Sequence, residues 1–127
     1  MFEHGMESAF SLRLASLIEL HQELAIDLVS RFLASGSVDK AVAMETLHQL
    51  GLSEHEPTYD ARQKLLLQYL GSDLAMLRYG AMYGLSSMDD PKTIPAIEQA
   101  FKQETYPDLL QYMSAALEQL RETLTEA

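Results

Sequence analysis

The chain has 127 residues, a length that suits one domain able to bury roughly two-thirds of its unfolded surface. Nine Lys and Arg stand against nineteen Asp and Glu, a formal charge of −10 that repels nucleic acid and anionic membranes and favours either solubility or a basic protein partner. Cysteine is absent, which excludes disulfides, thiolate metal sites and thiol catalysis at once.

The first element predicted in chain order is one long helix from about Glu7 to Ala34, with a pair broken near His21 as the alternative. Phe10, Leu14, Leu17, Ile18, Leu24, Ala25, Leu28 and Phe32 recur at the helical period, and no Gly or Pro falls between Met6 and Ser35. Leu12, Leu20, Ile26 and Leu33 widen the apolar stripe, so contacts on two sides are expected. Gly36 is read as the stop and Ser37 as the cap of a second helix, Val38 to Leu50, which Gly51 ends. After the loop Ser53 to Glu56, Pro57 suits the first turn of a third helix to Leu70, and Gly71 stops it. Ser72 or Asp73 caps a fourth helix, Leu74 to Met88. Pro91 starts a fifth, to Lys102, and Pro107 or Asp108 a sixth, to Leu124. Six helices without a strand pattern predict an all-α fold.

A shift of thirty-two residues lays Ala81 on Met113, Gly84 on Ala116, Leu85 on Leu117 and Met88 on Leu120. A shift of thirty-eight lays Lys40 on Arg78, Ala43 on Ala81, Leu47 on Leu85 and Leu50 on Met88. These offsets bracket a two-helix repeat. With Asp73, Arg78, Ala81, Gly84 and Leu85 in one helix, the Asp90-Pro91 turn, and Ile94-Pro95-Ala96-Ile97 opening the next, the chain resembles a HEAT repeat of the short, phycobilin-lyase-like variety. The resemblance covers Ser72–Gln103 well, Tyr106–Leu120 moderately and Val38–Leu70 weakly. It implies a short right-handed α-solenoid of stacked hairpins in one domain: a capping segment over residues 1–36, then repeat-like units at 38–71, 72–104 and 105–127. It also implies that Arg78 contacts an acid or carbonyl in a neighbouring turn, with Asp73 and Asp89 as candidates. Gly80 and Gly84, one turn apart beside Ala81, predict a close helix contact, because Gly inside a helix otherwise costs about 1 kcal/mol relative to Ala.

No phosphate-binding Gly loop, nucleophile elbow or zinc-binding His pair is present in the sequence. His48 and His55 flank Glu54 and Glu56, but across a helix end that sets no ligand geometry, so a solvated loop is expected. His21 is expected half-buried on the apolar stripe. No catalytic residue, cofactor or metal is assigned. The better functional signal is aromatic, since all six tyrosines fall after residue 58. Tyr79 and Tyr83, one turn apart beside Arg78, are expected to project sideways or outward as an amphipathic patch. The second helix of each repeat is expected to line a groove with Tyr59, Gln63, Lys64, Glu98, Gln99 and Lys102.

Together these features predict a non-catalytic interaction module, an adaptor or scaffold binding another protein and neither nucleic acid nor membrane. One alternative is a bacterial immunity protein or antitoxin masking a basic toxin, favoured by small size and charge. Another is a chromophore-handling protein like the phycobilin lyases, which share the repeat style. A cytoplasmic location is expected, because Met1 to Gly5 lacks the basic flank and apolar stretch of a signal peptide.

Overall fold

The computed structural model describes residues 4–36 and 38–126, with side chains from Arg13 onward. Its elements are α1 (His4–His21), α2 (Glu23–Ala34), α3 (Lys40–Leu52), α4 (Tyr59–Leu70), α5 (Ala75–Met88), α6 (Ile94–Gln103) and α7 (Pro107–Glu126). Short 3-10 turns, Glu56–Thr58 and Pro91–Thr93, lead into α4 and α6. Among the described residues there is no strand, and no helix is long and apolar enough to cross a membrane.

Among the described residues there are seven helices rather than the expected six, because the first run is a pair. The chain breaks at Gln22, whose φ of 50° lies in the left-handed region that an L side chain rarely adopts. The break has a packing reason. It turns the two-sided apolar stripe into a hairpin, so that Leu14 and Ile18 of α1 and Ala25, Ile26 and Leu33 of α2 all reach the core.

The expected cap Ser37 lies outside the described residues. Asp39 caps α3 instead, its carboxylate accepting from the backbone N–H of Ala41 (2.8 Å) and Val42 (3.3 Å), so the helix starts at Lys40. Gly36 does leave α2 in the left-handed conformation, with φ 72°. Leu74 takes the cap position of α5, and Ser72 supports it from outside by accepting the Leu74 N–H (3.1 Å). Asp89 ends α5 in the left-handed conformation, and Asp90 caps the following turn by accepting from Lys92 N–H (3.0 Å).

Gly51 does not end α3. The helix runs on through it to Leu52, and Gly51 is buried against Gly84 of α5. A Cβ on Gly51 would overlap the Gly84 backbone. One on Gly84 would lie 2.7 Å from the Leu47 carbonyl oxygen, and one on Gly80 2.7 Å from the Met44 carbonyl oxygen. The small residues therefore form a seam along which α3 and α5 meet backbone to backbone, the most intimate helix contact in the molecule. The packing gained along such a seam offsets the helix propensity that glycine lacks.

Around the seam, α3 also packs on α4, α5 on α4 and α7, α4 on α6, and α6 on α7. Leu47, Leu50, Leu66, Ala81, Met82, Leu85, Ile97, Leu109 and Met113 fill the interior. The α1–α2 hairpin lies at one end, against α3, α4 and the turn before α4. α7, exposed along Gln111, Ser114, Glu118 and Glu122, belongs to the other end.

Candidate functional site: an aromatic line across three helices

α3, α5 and α7 each contribute rings to one surface. Tyr83 of α5 is its centre: its ring centroid lies 5.1 Å from Tyr112 of α7 in an edge-on arrangement and 5.5 Å from His48 of α3. Tyr79, one helical turn earlier, lies 6.1 Å from Tyr83. These separations fall in the range where aromatic pairs attract beyond simple area burial. All four residues are half-buried, so each ring rests on its neighbours with part of its surface in water. Tyr79 and Tyr83, expected to project sideways or outward, are half-buried, and Tyr83 meets rings of α3 and α7. Burial raises the Tyr79 hydroxyl pKa, with smaller contributions from Asp108, Tyr83, Glu104 and Tyr106.

The sequence reading placed neither His48 nor Tyr112 beside Tyr83. His48 looked like part of a loop cluster, and Tyr112 stands 29 positions from Tyr83, so no local spacing links them. Among the described residues no group of three or more His, Asp and Glu could hold a metal ion. His55 turns back on its own loop, its Nδ1 3.1 Å from Thr58 Oγ1. His21 is exposed rather than half-buried, at the edge of an apolar groove between α1 and α2.

Two arginines hold connections between the helices. Arg78 does pair with an acid and a carbonyl, but the acid is neither Asp73 nor Asp89. Its Nε and one terminal nitrogen donate to the two carboxylate oxygens of Glu104 (2.8 and 3.0 Å), and the other donates to the Ser72 carbonyl (2.9 Å). Glu104, with its side chain 1% exposed, also accepts from the N–H of Thr105 and Tyr106, so one carboxylate fixes the α6–α7 connection. Burial, the largest influence on Glu104, raises its pKa; the Arg78 and backbone hydrogen bonds outweigh it and leave the carboxyl below its ordinary value. The Arg78 pKa is raised, first by that hydrogen bond.

Arg62, a residue the sequence reading passed over, is 1% exposed and has no carboxylate partner within ion-pair distance among the described residues. It donates to the carbonyls of Leu50 (2.7 Å), Ser53 (3.0 Å) and His55 (2.7 Å) and to Thr58 Oγ1 (2.9 Å). A guanidinium at the C-terminal end of α3 satisfies carbonyls that the helix leaves unpaired and sits at the negative end of its dipole. Burial lowers the Arg62 pKa. Its signal was present: Arg62 sits among Leu65 and Leu66 on the buried face of α4, where a charge must serve internal acceptors.

The residues expected to line one groove are distributed over four places. Gln63 is buried; it donates to Asp90 Oδ2 (3.0 Å), as does the Tyr59 hydroxyl (2.9 Å), so these two tie α4 to the turn before α6 rather than facing a groove. Burial and then the Asp90 hydrogen bond push the Tyr59 hydroxyl up to about 12. For Asp90 itself burial pulls upward, but hydrogen bonds from Gln63, the Lys92 backbone and Tyr59 hold it below the usual value. Lys64 is exposed on α4. Gln99 lines a cleft of about 550 Å³ between α4 and α6, with Leu67, Leu70, Gln103 and Tyr106, and with Arg78 at its wall. Glu98 and Lys102 instead line a separate cleft of about 310 Å³ between α6 and α7, where Glu98 pairs with Arg121 at 2.8 Å.

No protein-family model, no curated protein and no solved structure matches the chain.

Proposed function

We propose that this chain is a non-catalytic protein-interaction module, a short right-handed HEAT-like solenoid that binds another protein across its helical surface. Successive helices of one kind, α3, α5 and α7, neighbour one another, as do α4 and α6, which supports a repeat reading. The observation that carries the function is the ring line His48–Tyr83–Tyr112, flanked by Tyr79, which gives the neighbouring helices α3, α5 and α7 one shared aromatic strip. Tyrosine supplies large, rigid contact area with a polar tip, the side-chain type that dominates binding hot spots. Arg62, Arg78 and Glu104 serve this reading by holding the connections that set the helices in register.

The test starts from the partner isolated with the protein from its own cells and identified by mass spectrometry. Its affinity, measured with purified components, is expected to fall at least about tenfold in the His48→Ala, Tyr79→Ala double variant, the equivalent of 1.4 kcal/mol. Those two rings form the rim, so the central Tyr83–Tyr112 pair stays in place. Unchanged affinity in a folded double variant would overturn the aromatic strip as the binding face.

A second reading, masking of a basic protein, is favoured by the charge of the body: residues 38–126 hold fourteen acids against seven bases. It predicts binding that fails with added salt and survives the ring changes, because exposed charges are screened within about 8 Å at physiological ionic strength.

A further inference from the structure

The N-terminal hairpin has an apolar face that the fold does not use. Leu17 and Leu20 of α1 and Leu24, Leu28 and Phe32 of α2 are between 46% and 75% exposed, although each belongs to the stripe that drives hairpin formation. Leu24, Leu28 and Phe32 lie four residues apart and so form one row along α2. Leu17, Leu28 and Phe32 are also walls of one apolar groove between the two helices, floored by Ala25 and Val29. The exposed apolar surface of these five residues is on the order of 400 Å², comparable to the largest apolar patch of an ordinary monomer, which is often functional.

We propose that this face pairs with the same face of a second copy of the chain, making a twofold dimer in which the two α2 helices run antiparallel. This goes beyond the partner reading above, which concerns a different surface.

The order of charge along α2 is the argument for this pairing. α2 has Glu23 in its first turn and Arg31 in its last, with Asp27 between them and bound to Arg31 at 3.1 Å. A twofold contact with antiparallel α2 helices brings Arg31 of each copy to the acidic end of the other, and the same patch serves both sides.

Sedimentation equilibrium of the full chain tests the proposal. A monomer–dimer equilibrium at micromolar concentration is expected, and Leu28→Glu raises the dissociation constant at least tenfold while helix content stays at the parent value. Arg31→Glu alone also weakens the dimer, and Glu23→Arg added to it restores most of the affinity; this charge exchange decides the matter even if Leu28→Glu perturbs folding. A chain that stays monomeric throughout, a dimer indifferent to Leu28→Glu in a folded variant, or a charge exchange without recovery would overturn the proposal. Loss of the dimer leaves the aromatic strip on α3, α5 and α7 intact, so this outcome is separable from failure of the partner reading.

Discussion

The α3–α5 seam and the α1–α2 hairpin use apolar character in opposite ways. Along the seam, Gly51, Gly80 and Gly84 remove side chains so that two backbones touch, and the neighbouring Leu47, Leu66 and Leu85 are sealed from water. In the hairpin, large side chains are abundant, yet one face buries Leu14, Ile18, Ile26 and Leu33 while the other leaves five large residues in solvent. The seam is where the sequence serves the fold. The hairpin's outer face is only partly covered within the monomer, which is why the proposed pairing uses it.

The sharpest way to break this contrast is to add one methyl group to the seam. Gly51→Ala places a Cβ into the Gly84 backbone, which cannot rotate aside as a side chain would. A loss of about 3 kcal/mol is expected, the upper end for overpacking, and hence a fall in Tm on the order of 10 °C. Gly84→Leu is expected to be at least as severe. Thermal melts equal to the parent in both would dismiss the backbone-to-backbone contact.

An intermediate effect is expected where a buried charge ties a connection down. Glu104→Gln keeps the shape of the side chain but leaves Arg78 without its counter-charge, with an expected cost of about 2–3 kcal/mol by chemical denaturation. The pH dependence carries the sign. The folded Glu104 pKa lies below the unfolded value, so its contribution is fully present above about pH 4.3 and is lost as pH falls through the folded pKa. Asp90 acts in the same direction. The Gln variant should therefore lose less stability than the parent on acidification over that range; an equal acid response in both would contradict the assignment.

The smallest effect sharpens the comparison from the hairpin side. Leu20, the most exposed of the five at 75%, should tolerate Leu20→Ser with a change within about 0.5 kcal/mol in the monomer, measured at a concentration below dimer formation. A large monomer loss there would mean that the face supports the fold after all.

Much of this architecture was legible along the chain. Local rules act over one or two helical turns, and they suffice for the all-helical content, the turns at Pro57 and Pro91, the left-handed Gly36 and the close contact foreseen from Gly80 and Gly84. The same rules misread Gly51, because a stop and a packing glycine look alike until the opposing helix is known. They left the break at Gln22 open, since its cause is the burial of two faces and not a breaker residue. Four further matters belonged to the tertiary structure alone: that Arg78 meets Glu104 rather than Asp73, that Arg62 gathers three carbonyls, that Tyr59 and Gln63 converge on Asp90, and that His48 and Tyr112 flank Tyr83. Each joins groups on different helices or connections, where periodicity carries no information about which side chains come within hydrogen-bond or ring-contact distance. The sequence by itself determined which segments are helical and which faces are apolar, because both follow from short-range sterics and spacing. Which apolar face found a partner within the chain, and which was left to water, was decided only by how those helices packed.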